Sequence, residues 1–512
     1  MPSAMGRLLY FLSAAAALAT FSTASPVKTS NFNYDPPSKV DWQACEEGIR
    51  CANLSVPLDW SKPRGKQISI AMAMIPAANQ EKRIGYLMVN PGGPGASSLN
   101  LISAGKDFLM STPLHQYFDI LGPGPRGTAG STPVNCDPEP WNRRYPERPQ
   151  TEAEFQEMLQ VFHDRGESCV NQKDNDILYF VDTISVAKDL EAVRIALGDE
   201  KMNYIGFSYG TQLGAQYAEL FPDNIRALVL DGIMDHSRSG PDLWGPESNG
   251  YEVTVNQFFD WCAKNNTCAL HKVKDLPTKF DAFIDRANKS PIPAPSCLNK
   301  TSEVYPCFED ATGNEILRAF QTPICFPYPE TGSVGGWVGL SELLQVAMYN
   351  NDSSAFSTTK YASTTGYDMS YAAIFCQDAP RSNWSAIDFK IKADVGAVAT
   401  PHTRGIGEVW YLDALCMNWP TPVRNPPRSL APAFASRNMS TPILLVNALY
   451  DPETPIQFAL NVHRQLGEQN AHLIIRDGSG HTSYNHVGET HRAINKYLVD
   501  LEVPKTGAMY KD

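Results

Sequence analysis

Hydrophobic and polar positions divide the chain into two regimes. In the first, short apolar runs alternate with longer amphipathic ones. The runs Ala52–Leu58 and Gln67–Ile75, separated by Ser61-Lys62-Pro63-Arg64-Gly65, predict an antiparallel hairpin. Ile84–Asn90 and Tyr117–Leu121 predict buried strands, each running into a Gly/Pro-rich stretch. Residues 129–180 are polar and proline-containing, a connection with one helix over Glu152–Phe162. A helix over Asp182–Leu197 follows, with Asp182 as its cap, Ile184, Leu190, Val193 and Leu197 near one face, and Gly198 ending it. Met202–Ile205 then predicts a strand, Thr211–Phe221 a helix, and Arg226–Leu230 a further strand.

From Met234 to Asn438 the pattern changes to Cys, Pro, Asn and aromatic residues, with several short helices and no run of buried strands. Thr441–Asn447 and Ala471–Arg476 restore the strand pattern, and His491–Leu501 reads as a closing helix. Strands alternating with helices on both sides of such an interruption predict one α/β unit, a mostly parallel central sheet flanked by helices. It is assembled from residues 25–233 and 439–512, with a large, mainly helical cap inserted at 234–438.

Composition narrows the setting. The chain has 512 residues, enough for a large core and more than one domain, and its net charge of −12 argues against nucleic acid or an anionic membrane as partner. Residues 1–24 carry a basic start, an apolar Leu8–Ala19 core and the small residues Ser22-Thr23-Ala24, the pattern of a secretory signal peptide. The core of about 12 apolar residues is short for a bilayer span. Secreted and extracellular is the expected location. Eleven cysteines suit an oxidising compartment, and spacing proposes the pairs Cys45–Cys51, Cys262–Cys268 and Cys376–Cys416. Cys136 with Cys169 is a further candidate pair, and Cys297, Cys307 and Cys325 leave one over. No paired C-x-x-C or Cys/His cluster supports a metal site, and no cofactor is expected. N-x-S/T sequons at Asn53, Asn265, Asn288, Asn299, Asn351, Asn383 and Asn438 are glycosylation candidates, with Asn288 disfavoured by Pro291.

The chemistry centres on Gly206-Phe207-Ser208-Tyr209-Gly210, a G-x-S-x-G between predicted strand and helix. This is the nucleophile elbow, in which a sharp turn exposes a serine hydroxyl above the sheet edge. The bare pattern carries little, since about 0.1–0.2 matches are expected by chance in a chain of this length. A serine hydroxyl also needs a base, and the base an orienting acid. After the interruption, one strand ends in a loop with Asp451 and the next in a loop with His481, which is the order Ser, acid, His. Each residue has an alternative. Asp451 could cap a helix before Pro452 with Glu453 as the acid; Asp477 and Asp231 are weaker acids; His486 or His472 could be the base. The joint arrangement favours Ser208, Asp451 and His481. An oxyanion needs two donors, expected from the backbone N–H groups of Tyr209 and of Gly93 in the Pro91–Gly95 loop, with Gly92 second.

With these residues in place, the motifs N-P-G-G-P-G (90–95), P-R-G (125–127), G-F-S-Y-G-T-Q-L-G (206–214), V-L-D-G (229–232), T-P-I-L-L-V (441–446), D-P-E-T-P (451–455) and G-S-G-H (478–481) resemble the secreted tripeptidyl aminopeptidases and related prolyl aminopeptidases of the α/β-hydrolase superfamily. A-I-F-C-Q-D (373–378) and C-M-N-W-P (416–420) resemble that family's paired cysteine motifs. The likeness spans about Val40 to Leu501. One departure is Gly124, where the family has an aspartate before P-R-G, which bears on the floor of the site and hence on substrate. The resemblance implies an α/β-hydrolase fold and a serine exopeptidase that binds a free peptide N-terminus under the cap, working through an acyl-enzyme. Glu247, Glu252 and Asp378 are candidate partners for the substrate ammonium. The same triad would serve an esterase, thioesterase or lactone or amide hydrolase acting on a small molecule. A non-catalytic binding protein on the scaffold is a more remote reading.

Overall fold

The computed structural model describes residues 32, 34, 40–198, 201–298, 307–328 and 334–512; the expected signal peptide and Asn299 lie outside them. The described residues form twelve strands: β1 (Gln43–Glu46), β2 (Ile49–Pro57), β3 (Gln67–Ile75), β4 (Gly85–Asn90), β5 (Phe118–Pro123), β6 (Met202–Phe207), β7 (Ile225–Asp231), β8 (Ile292–Pro293), β9 (Asp310–Ala311), β10 (Ile443–Tyr450), β11 (Ala471–Ser479) and β12 (Met509–Lys511). Ten make one sheet in the order β1-β2-β3-β5-β4-β6-β7-β10-β11-β12. β1, β2, β3 and β5 pair antiparallel, and every pairing from β5 to β12 is parallel.

The central strands read as near-continuous apolar runs because both of their faces are buried. In β7, Ala227 and Val229 face one core with Ile205, Val446 and Ile474; Leu228 and Leu230 face the other with Tyr204, Leu445 and Leu473. The first face is covered by the helix Glu489–Asp500 through Ile494, Tyr497 and Leu498. The second is covered by the helices Thr183–Leu197, through Val186, Leu190 and Val193, and Tyr209–Leu220, through Leu213 and Tyr217. Asp182 caps the former by accepting from Ser185 N, and Gly198 closes it at φ 73°. Arg126 of the P-R-G motif is fully buried beneath these elements. Its Nε and Nη2 each lie 2.6 Å from an Asp189 oxygen, and it also donates to the carbonyls of Pro57, Leu58 and Phe180.

Between β7 and β10 the chain forms two packing units. The helices Pro241–Lys264, Leu276–Lys289, Gly313–Ile324 and Gly336–Tyr349 enclose their own core of Phe258, Phe280, Phe320, Trp337 and Leu344, with the β8–β9 pair at its edge. The later helices, Tyr367–Asp378, Ala386–Ala399 and Leu412–Met417, instead share the core of the sheet's second face. The connection before β6 joins them. Its helix runs Glu152–Val170, longer than the predicted Glu152–Phe162, and Trp410 Nε1 donates to Glu147 O at 2.9 Å. A single inserted body at 234–438 therefore describes the packing less well than a two-part cover to which residues 134–180 also contribute. The strand β12 was not anticipated, because a three-residue edge carries no readable period.

The disulfides are Cys45–Cys51, Cys136–Cys169, Cys262–Cys268, Cys297–Cys307 and Cys376–Cys416, and Cys325 is free and buried. Of the described sequon asparagines, Asn53, Asn288, Asn351, Asn383 and Asn438 are exposed and Asn265 is half-buried. No described helix is long and apolar enough to cross a membrane.

Candidate active site

Ser208 stands between β6 and the helix Tyr209–Leu220 at φ 56°, ψ −127°, a conformation that a non-glycine residue adopts only when its surroundings impose it. They do so through close approach. A Cβ at Gly206 would meet Gly210 O at 2.3 Å, and one at Gly210 would meet Asn90 Oδ1 at 2.7 Å. The turn is pinned by Ser208 N–H donating to Asp231 O at 3.0 Å. The loop after β4 lies against the elbow. Gly92 N–H is taken by Asn90 Oδ1 at 3.0 Å, whereas no backbone or side-chain acceptor takes Gly93 N–H among the described residues. Gly93 and Tyr209 line one cavity with Ser208.

Asp451, at the end of β10, and His481, just past β11, meet with Nδ1 at 2.9 and 3.0 Å from the two carboxylate oxygens. Asp451 is buried and held by further donors: Glu453 N and Thr454 N to Oδ1, and Thr482 N to Oδ2. The His481 loop is shaped by buried Arg476, whose Nη2 donates to Ser479, Gly480 and Thr482 carbonyls. Asp231 couples the two loops, since its Oδ2 accepts Ser483 N and Tyr484 N at 2.8 Å each. Burial pushes the Asp231 carboxyl up to about 6, against those two N–H donors.

Glu453 occupies the other side of the ring, with Oε2 3.0 Å from His481 Nε2. Burial disfavours the imidazolium, but the two flanking carboxylates hold the His481 pKa well above its ordinary value. Burial works against an ionised Glu453 and is the largest single influence, but the His481 charge together with the polar groups around the carboxyl leaves it below its usual range. Glu408 is pushed up to about 8 by burial and by Glu453 beside it.

The alternatives are placed elsewhere. His472 Nδ1 lies 2.8 Å from Pro504 O, the His486 ring packs on Tyr328, and Asp477 lies in β11 paired with Lys511. Asp231 touches the His481 loop but binds backbone N–H groups rather than the ring. Glu453 approaches Nε2 and not the Asp451-bound Nδ1. The three ammonium candidates are already engaged. Glu247 accepts Glu408 N and Val409 N, Glu252 accepts His402 N and Thr403 N, and Asp378 accepts from Thr183, Gln212 and Asn425. Gly124 is also not at the floor of the site: it packs on Ser131 and Ala71 and lines neither cavity that Ser208 lines.

Two cavities meet at Ser208. One is lined by Met234, Leu243, Phe375 and Phe458 together with Asp235, Glu247, Asp378, Glu408, Asp413 and Glu453, against only Arg238 and His236. The other runs past His481, Tyr251, Phe326, Tyr367 and Tyr411 to Arg318. Glu408, Glu453 and Tyr371 line both. Glu408 belongs to no recognisable motif, and Glu453 was weighed only as a triad acid, so their shared position was not legible. Among the described residues no group of three or more His, Cys, Asp or Glu side chains is arranged to hold a metal ion.

A mostly parallel sheet that presents a serine on such an elbow, with later strands ending in the Asp451 and His481 loops, is the α/β-hydrolase fold. Residues 402–509 match the family described as TAP-like protein. Over 497 residues the chain is 31% identical to carboxylesterase B of Mycobacterium tuberculosis, covering 91% of this chain and 88% of that protein. It is 28% identical over 496 residues to serine protease Hip1 of the same organism, covering 92% and 90%. It is 27% identical over 479 residues to tripeptidyl aminopeptidase of Streptomyces lividans, covering 86% and 81%. The chain belongs to this tripeptidyl aminopeptidase-like family of serine hydrolases.

Proposed function

We propose that the protein is a secreted, glycosylated exopeptidase that binds the free N-terminus of a peptide and releases a short N-terminal piece. Ser208 attacks the carbonyl, His481 takes the serine proton, and Asp451 holds the imidazole by Nδ1 and stabilises it when protonated. The N–H groups of Tyr209 and Gly93 receive the oxyanion. The leaving amine takes the proton from His481, and water activated by the same histidine hydrolyses the acyl-enzyme. The inserted region between β7 and β10 serves as the substrate-binding cap.

The observation that carries the peptide reading is the acidic, partly apolar cavity beside Ser208, in which the ionised Glu453 and the adjacent Glu408 carboxyl line the space open to a substrate amine. A small-molecule esterase is the second reading, favoured by the identity to a protein named carboxylesterase B. Peptide anilides with a free N-terminus, the same peptides N-acetylated, and p-nitrophenyl esters separate the two. Rapid cleavage of the free-amine anilides alone supports the exopeptidase, and indifference to N-acetylation or hydrolysis of esters alone sinks it.

A further inference from the structure

Glu453 has no role in the reaction as written, yet it meets the nitrogen on which that reaction turns. His481 Nε2 is the atom that must accept the serine proton, and Glu453 Oε2 lies 3.0 Å from it. The contact pairs opposite charges without the alignment of a hydrogen bond, and Nε2 has no hydrogen-bond partner. No hydrogen bond joins Ser208 to His481 among the described residues. The groups facing this pair are Asp451 on Nδ1, Glu408, Glu247 and Asp368 from the cap, and the Tyr251 hydroxyl and Cys325 thiol, the thiol donating to Gln321 O at 3.0 Å. Burial raises the Tyr251 hydroxyl and the Cys325 thiol far above their ordinary pKa, so they stay neutral. The cation among these groups is His481 itself; Arg318, which lines the second cavity with them, is paired with Glu147 at 2.7 Å.

We infer that Glu453 makes the base conditional on the substrate, because the incoming ammonium takes over its carboxylate and releases His481 to act on Ser208. This rests on the exopeptidase reading. Without substrate, His481 stands between two carboxylates and keeps both ring protons, so it cannot accept a third. Glu453 also lines the cavity beside Ser208, together with Glu408. An ammonium bound there replaces the imidazolium as counter-ion of Glu453 and adds a positive neighbour to the ring. The Nε2 proton passes to solvent, and the freed lone pair serves Ser208. Asp451 stays on Nδ1, so the tautomer is unchanged. An N-acetylated substrate brings no cation and leaves the base protonated. Discrimination therefore falls on kcat as well as on KM.

The test uses the intact enzyme and Glu453→Gln. With wild type, methylammonium chloride is expected to move the acid limb of kcat/KM for p-nitrophenyl acetate to lower pH, relative to potassium chloride of equal ionic strength. In E453Q that limb is expected to lie about one pH unit lower without the amine, and the kcat ratio between free-amine and N-acetylated anilides to fall about tenfold. Indifference of the wild type to N-acetylation overturns the exopeptidase reading and this inference together. Wild-type discrimination that survives in the kcat of E453Q, with an unmoved acid limb, overturns the coupling alone. Should E453Q fail to fold, the wild-type response to methylammonium decides, and absence of a shift refutes the inference.

Discussion

Gly92→Ala tests the oxyanion loop by changing its position rather than its donors. Gly92 has φ 95°, where an L side chain carries about 1–3 kcal/mol of strain. Space is the larger obstacle. An added Cβ would lie 2.4 Å from Phe207 O, 2.9 Å from Ser208 Cβ and 3.0 Å from Tyr209 N. Relief to an ordinary contact needs a movement of about 1 Å between the loop and β6. β6 is fixed between β4 and β7, and its elbow is tied to Asp231 O, so the loop is the part that gives. Gly93 N–H moves with it, beyond the roughly 0.5 Å within which a catalytic group stays productive. Loss of one oxyanion donor lowers kcat by about 10²–10³-fold. The assay is kcat and KM on a preferred anilide, with circular dichroism and thermal unfolding in parallel. A folded G92A enzyme with kcat within threefold of wild type would refute the assignment of this loop to the oxyanion.

Asp451→Asn should leave the fold intact and lower kcat by about 10⁴-fold, because Nδ1 loses the acceptor that sets its tautomer; single-turnover kinetics check this, and a loss below tenfold points to another acid. Arg126→Met removes the partner of buried Asp189 and the donor to three carbonyls, with an expected loss of about 3–5 kcal/mol by denaturant unfolding, partly recovered when Asp189→Leu is added. The folded pKa of Asp231 is raised to about 6, so its stabilising contribution is full below its unfolded value and is lost as pH rises through 6. Asp231→Asn should therefore fare better against wild type at pH 8 than at pH 4, read from unfolding midpoints at the two values.

The scaffold was legible because its strands carry their own signal. A strand buried on both faces must carry an apolar run, and β4, β6, β7, β10 and β11 each do. The Gly/Pro stretches that end β4 and β5 and the turns after β10 and β11 mark where side chains can leave the sheet. Asp451 and His481 were located by that logic, as single residues one loop past a strand. The helical cover was less legible, because a helix states which face is apolar but not what it will meet. Phe258 and Tyr371 both sit on buried helix faces, yet one belongs to the cap's own core and the other to the sheet's. The Glu152–Val170 helix was cut short for a related reason. Its second half is interrupted by His163, Asp164, Arg165 and Glu167, and the continued burial of that face comes from tertiary contacts: Trp419 and Pro420 at Gly166, Trp141 at Ser168, and the Cys136–Cys169 disulfide.

The amine site shows why specificity is harder to read than chemistry. Glu247, Glu252 and Asp378 looked suitable because they are acidic and lie in the cap, but each is consumed by donors of the fold, and a carboxylate with its lone pairs filled has little left for a ligand. What distinguishes Glu408 and Glu453 is opposite: burial without enough donors. Burial and the adjacent carboxylate raise Glu408 to about 8, and Glu453 stays ionised through the catalytic imidazole. An ammonium relieves both conditions at once, since it supplies the charge that Glu408 lacks and replaces the one that Glu453 borrows from His481. On the exopeptidase reading, the third position of D-P-E-T-P is where the substrate is set against the base. An uncharged residue there would leave the triad geometry in place and remove the dependence on a free N-terminus.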